Sequence, residues 1–188
     1  MKKIIALLLC LAMMLGCAAM AETAEKELNG ELTVNGKFTA KWAAPEGYHL
    51  TEMQSGDDGY MIAAFLPENE TAGKPVMVVS IAPDELLTDV ARLNDLDDEA
   101  LSKIEATFRE EDEVDISYME TTHGTKLMVI KETKENVDYV DFYTIYLGYE
   151  IELVLTHTEE MAGTPITDEQ IATVVQFLSD LDLIPVKE

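Results

Sequence analysis

Cysteine is scarce in this chain of 188 residues. The two cysteines, Cys10 and Cys17, both lie near the amino terminus. If processing removes that end, no disulfide can form, and packing alone must hold the fold. Lysine and arginine are also few: 13 of them stand against 37 aspartates and glutamates, which gives a formal net charge of −24.

The excess of acidic residues excludes several classes of partner. Arg92 and Arg109 are the only arginines, and no basic stripe exists, so nucleic-acid binding is not expected. An anionic membrane surface would repel the chain. The preferred interpretation is that the acidic side chains serve only solubility. A basic protein or a cation as partner is the alternative.

Long apolar runs are missing except at the amino terminus. Lys2 and Lys3 precede an apolar run at residues 4–15, which is shorter than the roughly 18 residues that a membrane helix needs. This pattern is typical of a bacterial secretory signal, so residues 1–21 are interpreted as a signal peptide. No transmembrane segment is expected, and the protein is expected to be secreted or associated with the cell envelope.

Two processing sites compete at the end of this signal. Ala19-Met20-Ala21 has the small residues that signal peptidases accept, which predicts cleavage after Ala21 and a released chain without cysteine. Gly16-Cys17 resembles a bacterial lipobox, which predicts lipidation of Cys17 and a lipid-anchored chain. Residues 18–21 are apolar where a lipid tether is normally polar. Release is therefore preferred, and lipidation is the alternative.

Residues 22–30 are interpreted as a flexible lead-in, and residues 31–188 as one domain. Apolar periodicity in this domain predicts strands at residues 38–42, 60–66, 76–82, 114–120, 126–132, 139–147 and 149–157. In the last strand, Glu150 and Glu152 alternate with apolar residues, so that face is expected to meet water.

Three helices are expected. The first starts at Pro83 and aligns Leu86, Val90 and Leu93; the second starts near Asp97 and aligns Leu101, Ile104 and Phe108; the third carries Ile171, Val174, Val175 and Leu178. Thr167 and Gln170 form a capping box at the start of the third helix.

A turn is expected at Asn35-Gly36. A two-residue hairpin there would place Leu32 and Val34 on the same face as Lys37, because side chains alternate along a strand. The pattern therefore predicts a turn without a simple hairpin.

These elements predict an α+β fold, a three-layer α/β/α sandwich. Its mostly antiparallel sheet would have about six to seven strands, with helices on both faces. The segments "FTAKWAAPEGYHL" and "PVMVVSIAP" and the order of the elements resemble the PsbP-like α/β/α sandwich family. The resemblance covers about residues 31–184. It implies a binding or accessory module without catalysis, and it assigns a role to no individual residue.

Candidate catalytic residues are few. The imidazoles are His49, His123 and His157, and none lies beside a nucleophile motif. Neither Gly-x-Ser-x-Gly nor His-Glu-x-x-His occurs. The sequence therefore predicts no catalytic residue, no cofactor and no enzymatic activity.

Two other segments have a functional and a structural interpretation. Residues 94–99, "NDLDDE", could hold Ca²⁺ through carboxylate oxygens, but Asp95 or Asp97 capping the next helix is preferred. Five aromatic residues could form an exposed binding ladder, but core packing is preferred. They are Tyr139, Phe142, Tyr143, Tyr146 and Tyr149.

The sequence thus predicts an exported bacterial cell-envelope protein that binds another envelope protein or a small ligand, without catalysis. An acidic extracytoplasmic protein that binds Ca²⁺ is the alternative. An enzyme of unrecognised type is the third interpretation.

Overall fold

The computed structural model describes residues 29–34, 36–56, 60–68, 73–109, 113–158 and 161–186. Both processing sites, Cys17 and Ala21, lie outside these ranges. The strands are β1 (Asn29–Val34), β2 (Phe38–Ala43), β3 (Tyr48–Ser55), β4 (Met61–Pro67), β5 (Val76–Pro83), β6 (Asp115–Glu120), β7 (Lys126–Lys134), β8 (Val137–Tyr146), β9 (Tyr149–Thr156) and β10 (Asp182–Pro185). The α-helices are α1 (Asp98–Arg109) and α2 (Asp168–Asp180), and short 3₁₀ turns occur at Glu85–Leu87 and Leu93–Asp95.

The strands form two antiparallel sheets. The large sheet has seven strands in the order β3-β4-β5-β9-β8-β7-β6, and the small sheet has the order β1-β2-β10. All named strand pairs are antiparallel. Short turns at Glu135-Asn136 and Leu147-Gly148 join β7, β8 and β9, and all four of these residues have the positive φ that such tight turns need.

The predicted three-layer α/β/α sandwich is wrong. Among the residues that the structure describes there are ten strands and only two α-helices, so neither face of the large sheet carries a layer of helices. One face packs against α2 together with the small sheet, through side chains such as Phe38 and Val174. On the opposite face, α1 and the two 3₁₀ turns pack against residues of β7 and β8.

The two faces of the large sheet differ in chemistry. The face that packs on α2, the core face, carries only apolar side chains in the centre of β8 and β9, such as Phe142 and Leu153. The other face, the acidic face, carries Asp141 on β8 and Glu150 and Glu152 on β9, because their positions alternate with the apolar ones.

The first hairpin confirms the expectation of a turn at Asn35-Gly36 without a two-residue hairpin. Val34 pairs with Phe38 rather than with Lys37, and the Lys37 N–H donates to the Val34 carbonyl over 2.9 Å. This loop is one residue longer than a two-residue turn. The longer loop shifts the register by one, so buried Phe38 lies on the same face as buried Val34.

The helix predicted from Pro83 is also wrong, and Leu86 is 91% exposed. Backbone groups of this segment bond to the β8–β9 turn instead: the N–H groups of Leu147 and Gly148 each donate over 2.9 Å, to Ala91 and Val90. These bonds hold the segment against the β8–β9 turn, and it forms only the short 3₁₀ turns at Glu85–Leu87 and Leu93–Asp95. Gly148 has a φ of +81°, and a Cβ there would lie 3.2 Å from the backbone of Thr88, so the close approach needs glycine.

The other expected elements are confirmed. Each of the seven predicted strands is present, within three residues at each end. Helix α1 buries Leu101, and α2 begins with the predicted capping box between Thr167 and Gln170. Strands β1, β3 and β10 were not predicted, and β1 includes Asn29 and Gly30, which had been assigned to the flexible lead-in. None of the helices within the described ranges is long and apolar enough to cross a membrane.

Candidate functional site

The three histidines do not form a catalytic group. His49 and His123 are exposed, whereas His157 is only 3% exposed at the end of β9. Neither ring nitrogen of His157 has a hydrogen-bond partner, and burial lowers the pKa of this imidazole. His157 is therefore a buried residue at the end of β9.

The acidic segment at residues 94–99 has a structural role. The Asp97 carboxylate accepts from the Ala100 N–H over 2.8 Å at the start of α1, which confirms the capping interpretation. The Asn94 side chain bonds to the Gly124 carbonyl and to the Lys126 N–H. Among the described residues, no three histidine, cysteine or acidic side chains are placed to hold a metal ion together.

The aromatic residues of β8 and β9 pack in the interior and form no exposed ladder. Phe142, Tyr143 and Tyr149 are buried. Phe38 packs edge-on against Tyr146 and Tyr149, with ring centroids 5.2 and 5.3 Å apart. The core interpretation is confirmed.

The acidic face contains a carboxyl cluster that consists of Asp141, Glu150 and Glu152. Tyr143 donates to the Glu150 carboxylate over 3.3 Å, and the Ser80 hydroxyl donates to Glu152 over 3.5 Å. The Oδ1 atom of Asp141 is buried without a hydrogen-bond partner. Burial raises the pKa of Asp141 well above its usual range, and the nearby glutamates, Glu152 foremost, raise it further. Asp141 therefore holds its proton where an ordinary aspartate has lost it.

This cluster was missed by sequence reasoning. The alternation in β9 predicted that Glu150 would meet water, yet Glu150 is only 8% exposed. Alternation distinguishes two faces of a strand but does not show what covers the polar one. Glu150 is buried, Asp141 and Glu152 are half-buried, and the two glutamates accept from Tyr143 and Ser80 of the same sheet, so the cluster is largely covered by the fold.

A second acidic feature lies at the surface, at the outer edge of the large sheet. Among the residues that the structure describes, strand β6 pairs with β7 and with no other strand, and most of its side chains are exposed. An edge strand carries a row of backbone N–H and C=O groups without strand partners. Strand β6 was predicted as a strand, but its edge position depends on strand order, which local pattern does not encode.

The hydrogen-bond pattern identifies which β6 residues direct their backbone groups outward. The Thr121 N–H donates to the Thr125 carbonyl, so this pair is hydrogen-bonded, and bonded and non-bonded pairs alternate along an antiparallel ladder. The bonded positions of β6 are therefore the odd ones, such as Met119. Ile116, Tyr118 and Glu120 present their N–H and C=O groups to the outside.

Helix α1 and β7 fix the side chains beside this edge. The Tyr118 hydroxyl donates to the Glu105 carboxylate of α1 over 2.7 Å. Burial and this hydrogen bond both raise the pKa of Tyr118. The Lys126 ammonium lies 5.5 Å from the centre of the Tyr118 ring, within the range of a cation–π contact. The edge is thus held in shape, and its outer backbone groups remain exposed.

The opposite edge of the sheet, β3, has a different geometry. The β3–β4 register shifts between Leu50 and Glu52, which marks a β-bulge. The β6–β7 register is regular along its whole length. A bulge breaks the even row of outward backbone groups, so it protects an edge against further pairing. Of the two edges, only β6 offers a regular row.

Comparisons with known proteins assign no family. No family model matches the chain, and no curated protein matches it.

Proposed function

We propose that this protein is an exported, non-catalytic binding module of the bacterial cell envelope that engages an extended segment of a partner protein along β6. The observation that carries the proposal is the regular, exposed edge of a seven-stranded sheet. Extended segments add to such edges through main-chain hydrogen bonds, while side-chain contacts give specificity. The proposal does not rest on the PsbP-like resemblance, because the sandwich that it implies is not the fold.

An exported location is supported by the signal pattern at residues 1–21.

Site-specific photo-crosslinking tests the proposed function. Met119 on β6 and Met53 on β3 are matched in exposure, at 38% and 43%, and lie on opposite edges of the large sheet. A chain starting at Glu22 has no cysteine, so Met119→Cys and Met53→Cys each give one attachment point for a benzophenone label.

In the native envelope fraction, we expect a discrete crosslinked adduct from position 119 and none from position 53. Equal adducts from both positions, or none from either, would contradict binding along β6.

A further inference from the structure

We infer that the occupant of the β6 edge is an extended segment with basic side chains at alternate positions. This inference rests on the proposed function, because it names the chemistry of the partner at the same edge. It follows from the charge of the edge, the register of its backbone and the side chains on each side of it.

The edge carries acidic charge without basic residues of its own. Residues 110–120 contain six acidic side chains and no lysine or arginine. Within the described part of this stretch, Glu113, Asp115 and Glu120 are all exposed. Opposite charges placed across an interface increase the association rate and exclude like-charged partners.

The nearby cations are already engaged or lie one strand inward. Arg109 pairs with Glu105 over 3.5 Å, and Lys126 lies over the Tyr118 ring. Lys131 and Lys126 lie on β7 directly opposite Asp115 and Glu120, so β6 itself separates the backbone of both lysines from the outer side of the edge. An incoming strand would therefore meet acidic side chains first.

The same charge makes a second copy of this chain a poor occupant. Pairing β6 with β6 would bring the acidic side chains of two chains together, and each chain carries a net charge of −24. Like charges directly opposite one another are destabilising in a sheet. A basic segment satisfies both the outward backbone groups and the carboxylates.

The two sides of β6 set the pattern of the partner. On one side lie Asp115, Ser117 and Met119, and on the other lie Ile116, Tyr118 and Glu120, because side chains alternate. Acidic residues occur on both sides, at Asp115 and Glu120. In a segment with lysine or arginine at alternate positions, the cations lie on one side of the sheet, beside Asp115 or beside Glu120. The apolar residues between the cations lie on the other side, where they can contact Tyr118 or Met119.

Fluorescence anisotropy with three synthetic peptides tests the inference. The probes are ten-residue labelled peptides that alternate valine with lysine, valine with threonine, or valine with glutamate. Each is titrated with the chain that starts at Glu22. We expect the lysine peptide to bind more tightly than the threonine peptide by about tenfold, which corresponds to a few exposed ion pairs. The advantage should shrink as salt is raised.

Two sets of variants separate the contribution of the outward backbone N–H to binding from the contribution of the acidic side chains. Glu120→Pro removes an outward N–H and leaves the β6–β7 ladder intact, whereas Glu120→Gln retains that N–H. We expect Glu120→Pro to abolish binding and Glu120→Gln to weaken it by only a few-fold. Glu113→Gln with Asp115→Asn should also weaken the lysine peptide, whereas Glu85→Gln with Glu169→Gln, which removes the same charge elsewhere, should not.

The outcomes distinguish the two proposals. If the threonine or glutamate peptide binds as tightly as the lysine peptide and Glu120→Pro abolishes this binding, the basic partner is wrong and binding along β6 stands. If sedimentation shows a dimer of the free chain that Glu120→Pro dissociates, the occupant is a second copy and the inference is overturned. If Glu120→Pro leaves binding of the lysine peptide unchanged, that peptide does not use the edge, and the inference is also overturned.

Discussion

The molecule holds two groups of acidic side chains that differ in almost every physical respect. The carboxyl cluster of Asp141, Glu150 and Glu152 lies buried or half-buried on the acidic face of the large sheet, where tyrosine and serine hydroxyls donate to the two glutamates. The acids of the β6 edge, such as Asp115 and Glu120, are exposed beside backbone groups that point outward. The difference teaches that a concentration of carboxylates does not identify a binding site. What matters is whether the carboxylates are covered by the fold and already accept hydrogen bonds within it, as Glu150 and Glu152 do.

Two tyrosines allow the groups to be compared directly, since each donates a hydrogen bond to a glutamate. Tyr143 contacts buried Glu150, and Tyr118 contacts Glu105 at the surface. Removal of a donor from a buried carboxylate leaves a polar group that water cannot easily satisfy, whereas water replaces the donor at the surface. Replacement of each tyrosine by phenylalanine therefore measures how much its hydrogen bond contributes to the stability of the fold.

The largest difference in the free energy of unfolding is expected when proline replaces an inward-bonded residue of β6 in one variant and an outward-facing residue in another. Met119→Pro removes an N–H that bonds to β7 and should lower the free energy of unfolding by about 3 kcal/mol. Glu120→Pro removes an outward N–H and should change it by less than about 0.5 kcal/mol. Urea unfolding of both variants provides the measurement. Equal losses would show that the assigned hydrogen-bond alternation is wrong.

The next effect is expected at the interior tyrosine. Tyr143→Phe removes the hydroxyl that donates to Glu150 and should lower the free energy of unfolding by about 2 kcal/mol, as for other hydrogen bonds to buried charged groups. Chemical denaturation at pH 7 measures this loss. A loss below that of Tyr118→Phe would contradict the interior position of the carboxyl cluster.

Asp141→Asn should reveal the raised pKa of the buried aspartate as a pH dependence. An unfolded aspartate titrates near pH 3.9, whereas the folded Asp141 keeps its proton to higher pH. The stability that this group contributes is therefore complete below about pH 3.9 and is lost as the pH rises through the folded pKa. Asparagine cannot ionise, so the variant should be more stable than the parent at pH 7 and equal to it near pH 3.

The control for this prediction is internal: the Asp141→Asn variant and the parent are compared at the same pH values, and their stabilities should coincide only at the acid end. Unfolding curves at several pH values decide the case. If Asp141→Asn is less stable than the parent at pH 7, the carboxylate is ionised and bound rather than protonated.

The smallest effect is expected from Tyr118→Phe. The lost hydrogen bond to Glu105 is at the surface, so the free energy of unfolding should fall by about 0.5 kcal/mol. Thermal unfolding monitored by circular dichroism is sufficient to detect it. A loss above about 2 kcal/mol would mean that the contact between α1 and β6 is part of the core, and that the edge is not a separable surface.

The strands could be predicted from the sequence because burial leaves a periodic signal in each of them. Val76–Pro83 is buried along most of its length, and its apolar run is visible without any structure. The helix expected at Pro83 failed for the opposite reason. Its apolar spacing was helical, but the backbone of that segment bonds to the turn around Gly148, and such a distant contact leaves no local pattern.

The layer arrangement could not be predicted for a related reason. The sequence indicates that the core face must be covered, but it does not distinguish a helix from a second sheet as the cover. Here β2 supplies part of the cover through Phe38 and Trp42. The Asn35-Gly36 signal predicts a two-residue loop. The loop is one residue longer, and this register directs the side chains of Phe38 and Trp42 toward the core. Both the candidate edge and the carboxyl cluster depend on strand order and coverage, so neither was predicted.

Amide hydrogen exchange at single residues tests the central claim most directly. In the chain that starts at Glu22, the N–H groups of Tyr118 and Glu120 should exchange fast when free, and the neighbouring Met119 N–H should exchange slowly. With the alternating lysine–valine peptide at saturation, we predict that Tyr118 and Glu120 become protected by at least about tenfold, while residues of β3 do not change. Unchanged exchange at Tyr118 and Glu120 in the saturated complex would contradict recognition along β6.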